Sequence, residues 1–392
     1  MEHVRCHEDT RSLKATSKTG MRNTPAKPPE QDEHDDDSLV TSEQIRSAHK
    51  DRSRERRKLS KKRERQTVKP AEQTVLDLHT GRVIKAEGAF FVVRLEDGED
   101  VRAQTYKGTR TANPNSTLVT IGDEVKISYK KEETSIVEEV LPRRSKLSRK
   151  AAGRAASFEQ TIVSNIDLLV IVATACEPPL RAGIIDRYIV AGLEGGLDIA
   201  IVINKLDIAN EHEREEVLYF RDVYQEIGYP VISVSAETGL GIEELKQTIA
   251  GRTSVFAGHS GVGKSSIVNR IFGREVGRTG VLSKKYRRGA HTTSGSVLLP
   301  VEGMNETYVV DTPGVREFAN FELDAANLKF FFAEFLKYQE RCAITNCSHI
   351  HEPGCAVREA LENDKIAIER YTSYEKLFEE ARKAEDRKLF KQ

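Results

Sequence analysis

The stretch Gly258-His259-Ser260-Gly261-Val262-Gly263-Lys264-Ser265 decides the fold, together with the apolar run 254–257 before it and Ser266, Ile267, Val268, Ile271 and Phe272 after it. An apolar strand, a glycine-rich turn and a helix opening on Lys-Ser are what a phosphate-binding loop requires. The glycines let backbone N–H groups close around phosphate oxygens at a helix N-terminus. Lys264 is then expected to reach the β- and γ-oxygens, where it also serves catalysis, and the Ser265 hydroxyl to ligate Mg2+. The rest of the run through Ser266 is the expected nucleotide contact.

Toward the N-terminus of this loop, apolar runs alternate with amphipathic stretches at 166–175, 184–193, 199–203, 213–227 and 231–234, and a further strand-like run follows at 307–310. That alternation predicts βαβ units in a doubly wound parallel sheet, which binds ligands at the carboxyl ends of its strands. Asn204-Lys205-Leu206-Asp207 stands at one such end. The Asp207 carboxylate can accept from guanine N1–H and the exocyclic amine, a pair of donors that adenine does not offer. Ser235-Ala236, at the next strand end, can place a backbone N–H on guanine O6. Together they favour GTP over ATP.

Asp311-Thr312-Pro313-Gly314 follows the run 307–310. Asp311 can hold Mg2+ through water, and the Gly314 amide can sense the γ-phosphate. Between the two phosphate elements lies Gly289-Ala290-His291-Thr292-Thr293, in which either Thr292 or Thr293 can close the Mg2+ shell. Many GTPases carry a glutamine directly after Asp-x-x-Gly to orient the attacking water; this chain has Val315, which can neither donate nor accept. His291 is the nearest candidate for that role. The order of these elements is itself informative. An ordinary GTPase runs phosphate loop, threonine, Asp-x-x-Gly, Asn-Lys-x-Asp, Ser-Ala, whereas here the last two come first. The expected GTPase domain, 155–320, is circularly permuted.

Residues 76–145 change character, with short β-rich stretches at 81–85, 90–94, 101–104, 122–127 and 135–140 separated by turn residues. Five short strands predict an OB-type β-barrel, with an SH3-like barrel or open meander as alternatives. Residues 143–154, dense in Lys and Arg, read as a basic linker. Residues 1–75 have few apolar positions and the composition of a disordered charged arm. Within it 46–69 holds twelve Lys/Arg against three Asp/Glu, either a solvated charge run or a phosphate-backbone contact.

Residues 321–392 are expected to be mostly helical, at 328–338, 357–361 and 366–387, around Cys342, Cys347, His349 and Cys355. Three thiolates and an imidazole suit one structural zinc, with His351 as the alternative to His349. Over all 392 residues the 61 basic and 61 acidic side chains cancel, so net charge names no partner. No apolar run approaches the twenty or so residues of a membrane helix, and the N-terminus lacks the apolar core of a secretory signal. A cytoplasmic protein with no membrane partner is the expectation.

Over about residues 76–385 the chain resembles the RsgA (YjeQ) family of small-ribosomal-subunit-dependent GTPases, through the barrel, the permuted motifs, the Asp186-Arg187-Tyr188 stretch and the Cys/Cys/His/Cys cluster. The resemblance implies an OB domain, a permuted GTPase domain and a zinc domain. It also implies a monomer that binds the small (30S) ribosomal subunit and its rRNA late in maturation, with GTP hydrolysis stimulated there. Two features depart from the family pattern: Ala290 stands where the family commonly has arginine, and the arm 1–75 is long.

Asp207→Asn is expected to weaken GTP binding roughly 10- to 100-fold, the scale of a lost charged hydrogen-bond pair. It should favour xanthosine triphosphate, whose O2 accepts from an amide. Nucleotide competition checks both.

Overall fold

The computed structural model describes residues 78–112, 114–129, 133–150, 159–276, 297–311 and 324–389. The arm 1–75 lies outside them. The barrel is built from β1 (Leu78–Glu87), β2 (Phe90–Leu95), β3 (Asp100–Thr111), β4 (Glu124–Ser128) and β5 (Ser135–Val140). Alternate residues point inward, and Val83, Val93, Val101, Ala103, Val125, Ile127, Val137 and Val140 fill its core. The strand order β1-β2-β3-β5-β4 closes through antiparallel β1–β4 pairing, with β3 and β5 parallel. That is the OB arrangement, and closure excludes the open meander. A bulge between Val83 and Lys85 kinks β1 where it pairs with β2. β3 is longer than its apolar alternation suggests, because beyond Thr105 its residues are largely exposed.

The expected basic linker is a strand instead. β6 (Lys146–Lys150) pairs antiparallel with β7 (Glu159–Ser164), and its one apolar residue, Leu147, is 1% exposed. A lone apolar residue among cations gives too little alternation to read. This ribbon leans on the barrel through bridges from Ser116 to Glu159 and from Ile121 to Val163. Arg143 fastens the junction. Its guanidinium donates to both Asp123 carboxylate oxygens at 2.8 and 2.9 Å, to the Thr117 carbonyl at 2.7 Å and to the Ser116 hydroxyl at 3.0 Å. Asp123 also accepts from Ser164 Oγ at 2.6 Å and Thr120 N at 2.8 Å.

The central sheet follows as β8 (Leu168–Thr174), α1 (Ala182–Glu194), β9 (Asp198–Asn204), α2 (Glu211–Glu226), β10 (Val231–Ser233), α3 (Ile242–Ile249), β11 (Thr253–Ala257), α4 (Lys264–Phe272), β12 (Val297–Pro300) and β13 (Tyr308–Asp311). β8 and β9 are almost wholly apolar because both their faces are covered, one by the core around α1 and α2, the other by the core around α3 and α4. The strand order is β10-β9-β8-β11-β13-β12, parallel except for β12. α2 starts at Asn210 with a reciprocal capping box to Glu213. The barrel continues this sheet, since β1 meets β12 at Lys85 and Val297.

Beyond residue 324 the expected first helix is a succession of 3-10 turns, Leu328–Phe331, Ala333–Lys337 and Gln339–Arg341. Short turns let Leu328, Phe332 and Phe335 all reach full burial against α6 (Ile368–Leu389), where Phe335 and Phe332 stand 4.8 and 5.1 Å from the Tyr374 ring. A short helix, α5 (Ala356–Glu362), completes this part. No helix among the described residues is long and apolar enough to cross a membrane.

Arg143→Met removes the only cation facing the buried Asp123 among the described ion pairs. It is expected to destabilise the protein by about 3–5 kcal/mol, the scale of a broken buried pair. A lowered urea unfolding midpoint checks this.

Candidate functional site

Four strand ends bring the predicted residues to one edge of the sheet. The loop 258–263 leaves β11 and turns into α4 at Lys264, whose Nζ donates to the carbonyls of Gly258 at 2.8 Å and His259 at 2.7 Å. Ser260, Gly261, Ser265 and Ser266 are exposed, whereas Val262 is buried in the core that anchors the loop. His259 is exposed too, and its Nδ1 lies 3.0 Å from the Ser260 carbonyl. Gly263 has φ of +90°, and a Cβ there would stand 2.3 Å from Asn204 Nδ2. Only glycine allows that approach.

Asn204, at the end of β9, accepts the Ala236 N–H at 3.1 Å through Oδ1 and donates to the Val262 carbonyl at 3.0 Å through Nδ2. The Ala236 N–H that was expected to face guanine O6 is therefore turned toward Asn204 here. Ser235 is fully buried, and its hydroxyl accepts the Thr238 N–H at 3.0 Å, shaping this turn. Lys205 sits at φ +64° and donates to the Glu177 carbonyl at 2.5 Å. Asp207 is exposed beside it. β13 carries the Asp311 backbone to the same edge, two strands from β8. His291, Thr292, Thr293 and Gly314 lie outside the described residues.

The second constellation is in the C-terminal part. One donor atom each from Cys342, Cys347, His349 and Cys355 lies within 4.8 Å of all the others. His349 Nδ1 is 3.6 Å from Cys342 Sγ and 3.4 Å from Cys355 Sγ. Tetrahedral Zn2+ with ordinary Zn–S and Zn–N bonds puts such atoms ~3.6 Å apart, so the set fits a metal ion. The imidazole in this set is that of His349; His351 is exposed and outside it. Burial pushes the Cys347 and Cys355 thiols up and the His349 imidazole down to about 4, with Lys329 adding to the latter. The imidazole is thus neutral and ready to ligate, and the thiols give up their protons only against a cation.

Residues without a sequence signature hold this loop. The Tyr371 and Tyr374 hydroxyls on α6 donate to the carbonyls of His349 and Ser348 at 2.6 and 2.5 Å. Glu352 accepts backbone N–H groups of Ser348 at 2.7 Å, Ile350 at 3.2 Å and His351 at 3.3 Å. Burial raises the Glu352 carboxyl, but hydrogen bonds from the Ser348 side chain and from the backbone of Ser348, Glu352 and His351 outweigh it and hold it at about 2. His349 itself has φ +63°, a strained conformation that the clamps maintain.

A sequence model described as RsgA GTPase matches residues 140–321. The small ribosomal subunit biogenesis GTPase RsgA of Chlorobaculum tepidum is 41% identical over 302 residues, covering 75% of this chain and 96% of its own. The chain belongs to the RsgA GTPase family. A further relative, RsgA 2 of Bacteroides thetaiotaomicron, is 34% identical over 305 residues, 76% of this chain and 96% of its own. Among RsgA-like structures, YjeQ from Thermotoga maritima superposes with a TM-score of 0.63 at 30% identity, covering 78% of this chain and 98% of that one. YloQ, a circularly permuted GTPase, shares the fold, with a TM-score of 0.60 at 21% identity over 80% and 99% of the two chains. The permuted arrangement read from motif order is therefore the arrangement of the RsgA fold.

About one zinc per chain is expected, and Cys355→Ser should release it and loosen α5 and α6. Because binding must displace thiol protons that burial retains, metal affinity should fall as pH falls. Metal analysis and chelator competition at two pH values check both.

Proposed function

We propose that this chain binds the small (30S) ribosomal subunit and its rRNA in the cytoplasm, as a monomer, and hydrolyses GTP there late in maturation, with the subunit stimulating turnover. The observation that carries the reading is the convergence of Asn204, Ala236 and the phosphate loop through one buried carboxamide, in a chain whose relatives are named for that process.

In this reading Asp207 reads the guanine edge, with Asn204 and Lys205 shaping the loop around it. When the base enters, the Ala236 N–H is shared between Asn204 Oδ1 and guanine O6, so the carboxamide keeps its hold on both loops. Lys264 moves from the Gly258 and His259 carbonyls to the phosphate oxygens, an exchange of neutral acceptors for anionic ones. Ser265, Asp311 and either Thr292 or Thr293 would hold Mg2+, which when bound neutralises charge on the transferred phosphoryl group. Gly314 contacts the γ-phosphate. His291 positions the attacking water, a task closed to Val315. Zn2+ in the Cys342, Cys347, His349 and Cys355 set is structural, since four protein ligands leave no open position.

Multiple-turnover phosphate release with separated small and large subunits tests the proposal. Only small subunits should accelerate it and co-sediment the protein. His291→Ala should lower the stimulated rate about 100-fold or more while GTP affinity and subunit binding stay within twofold, as for a residue that acts in the transition state. Release that ignores small subunits would leave a GTP-binding scaffold, and full stimulation of the variant would remove His291 from the mechanism.

A further inference from the structure

β8 and β9 end side by side, with Thr174 opposite Asn204, and the Ala175 N–H donates to the Asn204 carbonyl at 2.9 Å. From there β9 runs on into Lys205 and Asp207, while β8 runs into the segment 175–178. Thr174 is the one polar residue of an otherwise apolar strand, and it is 1% exposed. A hydroxyl buried there needs an acceptor. It finds one four residues on: Oγ1 donates to the Pro178 carbonyl at 2.5 Å, which folds the segment back over the strand end. The preceding carbonyl, that of Glu177, accepts from Lys205 Nζ at 2.5 Å.

Lys205 sits at φ +64°, a left-handed conformation that a residue other than glycine keeps only where its surroundings impose it. The surroundings do so from three directions. Its ammonium is tethered to the Glu177 carbonyl beyond β8. Next to it, the Leu206 N–H donates to the Val234 carbonyl, just past β10, at 3.3 Å. From α2, Arg214 donates to the Ala209 carbonyl at 3.0 Å through Nε and to the Leu206 carbonyl at 3.5 Å through Nη2. Asp207 stands exposed in the middle of this braced segment, 205–209. Arg214 is itself exposed, so water can replace its bonds. The brace from β8 turns instead on one buried hydroxyl.

We propose that Thr174 is a positioning residue for guanine recognition: its hydroxyl holds the Pro178 carbonyl, which sets the adjoining Glu177 carbonyl against Lys205 and so fixes the direction of the Asp207 carboxylate. This rests on the reading that Asp207 accepts from guanine N1–H and the exocyclic amine. Two parallel hydrogen bonds need both carboxylate oxygens in register with the base edge, a demand that a single bond does not make. Misplacing the carboxylate therefore costs guanine, with two donors, more than hypoxanthine, with one. Thr174 acts through Glu177 and Lys205, not by contact with the base.

The test is Thr174→Val, which keeps the shape and removes the hydroxyl, beside Thr174→Ser, which keeps the hydroxyl, both in the full chain. Affinities for GTP and inosine triphosphate are measured by competition against a fluorescent guanine nucleotide. Thr174→Val is expected to lower GTP affinity about fivefold or more and inosine triphosphate affinity no more than about twofold, the difference being the scale of one hydrogen bond. Thr174→Ser should keep the wild-type preference. An unchanged preference in Thr174→Val overturns the proposal, whether both affinities hold or both fall together, because a loosened loop would weaken the two nucleotides alike. Lys205→Met should shrink the preference in the same way, and Thr174→Val added to it should change the preference no further. An unaltered preference in Lys205→Met, or a full additional loss in the double variant, also overturns the proposal. Asp207→Asn separates this inference from the reading beneath it. If that variant still prefers GTP, base reading by Asp207 fails and this inference with it; if it loses the preference while Thr174→Val does not, only the role of Thr174 falls.

Discussion

One carboxamide joins the loops on which the proposed nucleotide site depends. Asn204 is 2% exposed and spends its donor on Val262 and its acceptor on Ala236. These loops are far apart in order, Asn204 and Val262 being 58 positions apart, so no short connection sets their spacing. Sheet pairing of β9, β8 and β11 brings them to the same edge, and the carboxamide sets the final approach. A residue without both functions would orphan a buried N–H or carbonyl, which costs about 1–3 kcal/mol and moves the loops apart.

The flanking parts are fastened to the central sheet by buried arginines. Arg143 holds Asp123 where barrel and ribbon meet, and Arg370 holds Asp186 and Glu334 where the C-terminal part meets α1. Such pairs contribute little net stability against well-packed apolar residues, because desolvation offsets the Coulomb attraction. Their forked, directional bonds instead define one geometry, whereas an apolar contact tolerates sliding. Arg82 of β1 adds a third link, donating to the Asn165 carbonyl at 2.8 Å and Thr253 Oγ1 at 3.0 Å.

What was legible in the sequence followed from strong local constraints. The phosphate loop needs glycines and a lysine at fixed spacing, doubly covered strands need unbroken apolar runs, and metal ligands need Cys and His. Those features predicted the sheet, the OB barrel and the gathering of three cysteines and His349. β6 gives little signal because Leu147 is its one apolar residue among cations, and the 3-10 turns read as a helix because Leu328, Phe332 and Phe335 recur at the four- and three-residue spacing of an α-helix. The Glu352, Tyr371 and Tyr374 clamps left no signal, since a carboxylate or phenol that holds a backbone looks in sequence like any other surface or core residue. The ion pairs at Arg143 and Arg370 were equally silent: Arg370 finds Asp186 across 184 residues, and nothing local announces such a partner.

That separation has a consequence for synthesis. A nascent chain emerges at about 5–20 residues per second, so α1 exists for roughly 10–40 s before Arg370 can reach it. Throughout that interval Asp186 belongs on a surface that stays wet, since a carboxylate is not buried without its counterion. The central sheet can pair its strands as they appear, but the face of α1 that will meet α6 cannot dry until α6 has left the exit tunnel. Sealing of that face is thereby tied to the arrival of α6, and a chain truncated before α6 would carry the unsealed face permanently.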